Sequence, residues 1–185
     1  MLEPIKSDLY RYIPKKYSLS VLFNGLRTQG FRYMFFKRLK DYYGTKSIIG
    51  FISLLFLRHY TYKYGFQIGG RIGNGFYIGH FGTIVSNSNV IIGDNCNIAH
   101  GVTIGATRRG HNAGVPIIGD EVWMGTNSII VGNVKIGNNV LIAPGAYVNF
   151  DVPANSVVIG NPGKIIPNKN ATIGYINHKY VRPTK

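Results

Sequence analysis

Between about Phe66 and Ile165 an aliphatic residue followed by a small one recurs every six positions. The longest unbroken run is Ile118-Gly, Met124-Gly, Ile130-Val, Ile136-Gly, Ile142-Ala and Val148-Asn. A second run reads Ile92-Gly, Ile98-Ala, Ile104-Gly, and a third, offset by two residues, reads Ile72-Gly, Ile78-Gly, Ile84-Val. Small or modest side chains fall four residues after the starts, among them Cys96, Val102, Val122, Ser128, Val134, Val140 and Ala146. The period matches neither the roughly 3.6 of a helix nor the 2 of an alternating strand.

Six residues with glycine beside an aliphatic is the period of a parallel β-helix. Short flat strands and tight corners close one triangular coil in about eighteen residues, and inward aliphatic side chains stack on the next coil at a strand separation of about 4.8 Å. Gly, Asn and Asp serve the corners because they tolerate positive φ. A glycine-rich sandwich would show strict alternation and irregular turn spacing instead. Ile104 to Ile118 spans fourteen residues where twelve would make two repeats, which predicts a loop leaving near Ala106 and returning at Pro116. Loops on a rigid scaffold collect binding groups, and this one carries Arg108, Arg109 and His111.

Ahead of the repeat, residues 1–17 form a polar, basic lead-in without a long periodic run. Ser18 or Ser20 is placed to cap a first helix. The segment FRYMFFKRLKDYYG sets Phe31, Met34, Phe35 and Leu39 on one face, which predicts an amphipathic helix stopping at Gly44. A second helix follows Thr45; its apolar stretch from Ile48 to Leu57 falls short of the roughly 20 residues of a membrane span. The chain therefore divides into a basic, aromatic-rich helical segment at 1–65, a β-helix at 66–166 with a loop at 106–116, and a basic tail at 167–185.

Charge changes this picture at the two ends. Residues 1–65 hold twelve Lys or Arg against Glu3, Asp8 and Asp41, most of the net +14 of the chain. The repeat is nearly neutral. The helices are expected to cap the open end of the solenoid, and their interleaved aromatics and cations also fit peripheral contact with the inner face of a cytoplasmic membrane. No nucleic-acid motif accompanies the charge, so no nucleic-acid partner is expected. The single Cys96 falls on an inward position, and a chain with no internal disulfide and no signal-peptide pattern is expected in the cytoplasm.

Of five histidines, His59 and His178 fall on a helix and in the tail, whereas His80 and His100 each follow a repeat start by two residues, at positions that do not fill the core. They are twenty residues apart, one coil plus the two-residue register step near Val90, so they should stack in one column. A neutral-range imidazole suits the proton transfer that an alcohol nucleophile requires. His80, His100 and His111 are too few, and too unlike a shared three-histidine pattern, for a zinc site, so no metal is expected.

The ordered strings GFYIGHFGTIVSNSNVIIGDNCNIAHGVTIG, PIIGDEVWMGTNSIIVGNVKIGNNVLIAPGAYV and DVPANSVVIGNPGKII resemble the serine O-acetyltransferase group of hexapeptide-repeat acyltransferases. The resemblance implies a homotrimer whose sites lie between subunits, with acetyl-CoA along the groove between neighbouring β-helices. By position His80 matches the catalytic base, with His100 and His111 as possible assistants. Gly105, Ala106, Thr126 and Pro144 match groove positions for the cosubstrate, and Lys164 the cation near its nucleotide phosphates. The family's carboxylates fall at Gly79 and Gly65, and its Arg-His pair at Gly114 and Val115. Those departures, with a helical lead-in similar in kind to that of bacterial polysaccharide O-acetyltransferases, lead to the expectation of a left-handed β-helix acetyltransferase acting on a sugar hydroxyl of a surface polysaccharide or its precursor. Serine, another small molecule or a nucleotide sugar as acceptor are the alternatives, and a non-catalytic scaffold is the rival of another class.

Overall fold

In the computed structural model, which describes residues 2–182, the repeat forms a three-sided parallel β-solenoid. The first coil holds β1 (Phe66–Ile68), β2 (Arg71–Ile72) and β3 (Tyr77–Ile78), and the second β4 (Ile84–Ser86), β5 (Ile91–Ile92) and β6 (Asn97–Ile98). The third holds β7 (Thr103–Gly105), β8 (Ile117–Ile118) and β9 (Trp123–Met124), and the fourth β10 (Ile129–Val131), β11 (Lys135–Ile136) and β12 (Val140–Ile142). The last rung is β13 (Tyr147–Val148), a bridge from Val152 to Ile136, and β14 (Ser156–Ile159), against which β15 (Lys164–Pro167) folds back antiparallel. The three faces run β1-β4-β7-β10-β13, β2-β5-β8-β11 and β3-β6-β9-β12-β14.

Register confirms the spacing argument with one correction. Phe66 pairs with Ile84 eighteen residues on, but Arg71 pairs with Ile91 twenty residues on, because the turn after Ser86 holds two extra residues. The loop is larger than its apparent spacing. The corner from the first face to the second takes six residues between Ile130 and Ile136 and fourteen between Ile104 and Ile118, so eight residues enter a single repeat. Counting two repeats there mistook loop residues for a strand. Thr107 and Gly114 exchange backbone hydrogen bonds of 3.0 and 2.9 Å across its neck, and Asn112 Nδ2 donates to the Asn149 carbonyl at 2.7 Å.

Inside, three columns fill the prism: Ile92-Ile118-Ile136, Ile98-Met124-Ile142 and Ile104-Ile130-Val148, none more than 3% exposed. Each such side chain contributes on the order of 2 kcal/mol by leaving water. Cys96 is packed among them with its thiol 3.2 Å from the Gly119 carbonyl, and burial pushes that thiol up to about 12. At one corner the Asp94 and Asp120 carboxylates and the Asn138 amide oxygen each accept a backbone N–H from the coil below, at 2.6 to 2.8 Å. That ladder explains the recurring Gly-Asp and Gly-Asn pairs.

The lower end is closed by four helices, α1 (Glu3–Tyr12), α2 (Leu19–Gly25), α3 (Gln29–Tyr43) and α4 (Ile48–Tyr64). The Ser18 hydroxyl accepts from the Val21 N–H and caps α2, Gly44 ends α3, and α4 follows Thr45 as expected. Helix α1 was not expected. Its inner face includes Ser7, Asp8 and Arg11 as well as Ile5 and Leu9, so hydrophobic periodicity hides it. Those polar groups serve the exposed strand edge of the first coil. Asp8 Oδ1 accepts the Phe76 N–H at 2.8 Å, Ser7 Oγ accepts the Gly75 N–H at 2.9 Å, and Tyr12 Oη accepts the Ile78 N–H at 2.8 Å. Arg38 donates to the Ile72 and Gly73 carbonyls and to both Asp8 oxygens.

The same geometry revises the surface expected of α3. Phe31 and Tyr33 are buried, as are Lys37 and Arg38, so much of the basic charge there is committed to the cap. Burial pushes the Asp8 carboxyl up from its ordinary range while Arg38 pulls it down. Removing one partner of such a pair strands the other. Asp8→Ala should cost about 3–5 kcal/mol of stability, with Asp8→Asn intermediate, as read by urea denaturation of the intact protein.

Candidate active site

His80 and His100 lie at the corner leaving the third face. Tyr77 pairs with Asn97, Asn97 with Trp123, and Trp123 with Leu141, so three residues further on His80, His100, Thr126 and Pro144 stand one above another. Backbone bonds fasten the column: Asn127 N–H donates to the His100 carbonyl at 3.1 Å, and Gly145 N–H to the Thr126 carbonyl at 2.9 Å. The two imidazoles meet edge to face, centroids 6.0 Å apart and planes at 87°. His80 is exposed; the Nδ1 of His100 is buried and has no partner among the described residues. An unmet buried polar atom costs about 1–3 kcal/mol, so one on a histidine that stacks against an exposed histidine calls for a functional explanation.

The cleft at the histidines holds about 330 Å³ and is lined also by Asn97, Ala99 and Thr126 and by the aromatic residues Tyr77, Trp123 and Tyr175. A larger depression of about 460 Å³ adjoins this cleft, sharing Tyr77, Asn97 and Tyr175 with it but lined by neither His80 nor His100, and one of about 600 Å³ lies along the seam between the helices and the first coil. Volume alone would select those. The stacked histidines and the orphan nitrogen select the smaller cleft.

Tyr175 belongs to the tail, for which no pattern was expected. After β15 the chain runs back down the solenoid, burying Ala171, Thr172 and Ile176. Its groups are held by asparagines of the corners: Asn139 Oδ1 accepts from the Thr172 hydroxyl at 2.6 Å, Asn97 Nδ2 donates to the Tyr175 carbonyl at 3.1 Å, and Asn95 brackets Tyr180. The Trp123 and Tyr175 rings lie 4.9 Å apart. The trace in the sequence was the asparagines themselves, Asn95 and Asn139 at corners and Asn97 in β6, where the repeat does not call for an amide.

Of the other expected site residues, Gly105 ends β7 at the opposite edge of the first face, Ala106 begins the loop, and His111 is exposed on it. Within one copy these three stand apart from the histidine column. Lys164 begins β15, paired with Ile159 at the top of the third face and exposed. The carboxylate positions differ in kind. Gly65 is the left-handed cap of α4 at φ +75, and a Cβ there would approach the Thr83 backbone to 3.2 Å, so an aspartate would be strained. Gly79 has room for a side chain, the nearest atom to an added Cβ being the Tyr77 ring at 3.6 Å. No three of His, Cys, Asp and Glu gather in a metal-like group among the described residues.

The family described as bacterial transferase hexapeptide (six repeats) matches residues 116–149. The chain is 34% identical over 110 residues to the serine acetyltransferase of Synechococcus elongatus, covering 60% of this chain and 45% of that protein. Among solved structures it is similar to the serine acetyltransferase of Brucella abortus in complex with coenzyme A, at TM-score 0.72 and 25% identity over 89% of this chain and 67% of that one. It is also similar to the Neisseria gonorrhoeae serine acetyltransferase in complex with serine, at TM-score 0.67 and 30% identity over 88% of this chain and 67% of that one. The chain thus spans less than half the length of the cyanobacterial relative. These comparisons agree with a hexapeptide-repeat acetyltransferase and correct the polysaccharide expectation, including the likeness to that branch, because the relatives in sequence and in structure are serine acetyltransferases. Missing side chains at Gly79, Gly65 and Val115 showed what had been lost from a pattern, which does not identify a different acceptor.

Asn97 joins the tail to the cleft and to Arg11, whose Nη2 donates to Asn97 Oδ1 at 2.6 Å. Asn97→Ala leaves both partners unmet. It should cost about 2–4 kcal/mol in stability and release the tail to limited proteolysis after β15, with cleavage read by mass spectrometry.

Proposed function

We propose that the protein is a serine O-acetyltransferase that moves an acetyl group from acetyl-CoA to the serine hydroxyl. The observation that carries this reading is the column of exposed His80 and half-buried His100 and Thr126, with the Nδ1 of His100 unpartnered, on a solenoid similar to solved serine acetyltransferases. His80 takes the hydroxyl proton as the serine oxygen attacks the thioester carbonyl. The tetrahedral intermediate collapses with cleavage of the carbon–sulfur bond, and the imidazolium returns the proton to the departing CoA thiolate. The products are O-acetylserine and CoA. A single general base of this kind contributes typically 10²–10⁴-fold.

His100 takes a different part. Its ring lines the cleft beside His80, so it binds and positions serine, and the edge-to-face contact of the two rings holds His80 where the family pattern would use a carboxylate. Thr126 and Pro144 stand above the histidines and line the path of the pantetheine arm, with Lys164 at the upper end for the nucleotide phosphates. Gly105, Ala106 and His111 sit at the far edge of the first face and enter the site from a neighbouring copy in a homotrimer.

His80→Ala should lower kcat by at least about 100-fold while acetyl-CoA binding stays within about twofold, measured by thiol release and by calorimetry. His100→Ala should instead raise the KM for serine by about tenfold, the loss of one hydrogen bond to a polar ligand group, with a smaller change in kcat. Equal effects of both substitutions on kcat would remove the division of roles. No serine-dependent CoA release from the wild-type protein would overturn the acceptor.

The trimer has its own measurement. Light scattering on the pure protein should give three times the chain mass, and acetyl transfer should fall on dilution together with that mass. A fully active monomer would eliminate the shared site.

A further inference from the structure

Helix α4 buries only one side. Gly50, Ser53 and Tyr64 face inward, and Phe56 and Tyr60 stack on Phe36 of α3, with centroids 4.7 and 5.7 Å away. Over the first turns of the other side Ile48, Ile49, Phe51, Ile52 and Leu55 are between 47% and 80% exposed. Isolated exposed apolar residues are ordinary, whereas a contiguous helical face of this kind marks a contact surface.

The charges around that face select its occupant. From Tyr42 to Gly65 the chain contains no Asp or Glu, while Lys46 precedes the helix and Arg58 and Lys63 lie on its later turns, all three exposed. A second copy laid across the patch would oppose these cations to their own kind with no acid in the segment to pair with them. A lipid surface offers apolar depth and anionic head groups together. We propose that α4 lies in the plane of an anionic bilayer surface, its apolar turns in the acyl boundary and Lys46, Arg58 and Lys63 among the head groups. The helix is too short and too mixed to cross, in keeping with the absence of any membrane-spanning helix among the described residues. The cations of α3 are engaged within the chain: Lys37 and Arg38 are turned inward into the cap, Arg32 donates to the Leu26 and Arg27 carbonyls and the Tyr64 hydroxyl, and Lys40 pairs with Asp41. This surface is independent of which acceptor the histidine column serves.

The test is co-sedimentation of the full-length protein with vesicles of phosphatidylcholine containing about one third phosphatidylglycerol, compared with phosphatidylcholine alone. The expected result is pelleting with the anionic vesicles at low salt, weakened at least tenfold by raised salt or by the neutral composition. The combined change Phe51→Gln, Ile52→Gln and Leu55→Gln uses good helix formers and should abolish pelleting while circular dichroism and CoA release are retained. Lys46→Glu with Lys63→Glu should lower it at least tenfold. An active wild-type protein that stays in the supernatant with anionic vesicles overturns the proposal. So does a lower mass in solution for the glutamine variant than for the wild type, because the patch would then hold copies of the chain together.

Discussion

A stack of parallel strands has an end, and at that end the outermost strand presents N–H and C=O groups that no further rung receives. The first coil meets this constraint with side chains. Asp8, Ser7 and Tyr12 of α1 accept from its amides, while Arg11 and Arg38 donate to its carbonyls. Everything above depends on this closure, because an unpaired edge would invite another chain to add itself as a strand. It also accounts for Arg11, Lys37 and Arg38 among the twelve cations of the helical segment. Carbonyl oxygens need donors, and the guanidinium group supplies several from one buried side chain.

The solenoid was legible because its period is imposed by geometry that admits few substitutions: an inward aliphatic residue, a small neighbour, and a corner that tolerates Gly, Asn or Asp. The same rule placed His80 over His100 before any coordinates, since only the register step after Ser86 had to be counted. Legibility failed wherever burial was polar. Helix α1 hides its inner face because Ser7, Asp8 and Arg11 are inside, and α3 presented Lys37 and Arg38 as surface cations when both are under 10% exposed. The loop was undercounted because its residues have no period of their own to reveal how many had been inserted.

The site shows the limit of matching positions. Gly65 and Gly79 stand where a pattern would place carboxylates, and the structure separates them: at Gly65 the backbone turn would strain a side chain, whereas at Gly79 a side chain would fit and none is there. The ring that packs against His80 is that of His100 from the next coil, a neighbour which a linear motif does not encode. A column of equivalent corners turns residues twenty positions apart into adjacent groups, so the chemistry is written along the solenoid axis and not along the chain.

One wall of the cleft has a distinct origin. Most contacts in the solenoid join residues about one coil apart, but the tail that carries Tyr175 is fastened to α1 across nearly the whole chain, with Arg11 Nε donating to the Asn177 carbonyl at 3.0 Å and Tyr180 meeting Glu3. Closing so long a loop is slow and gains nothing until the coils beneath it are stacked. The groove beside the histidines is therefore finished by the last contacts to form, so a partly folded chain has the His80 and His100 imidazoles stacked before the wall beside them is in place.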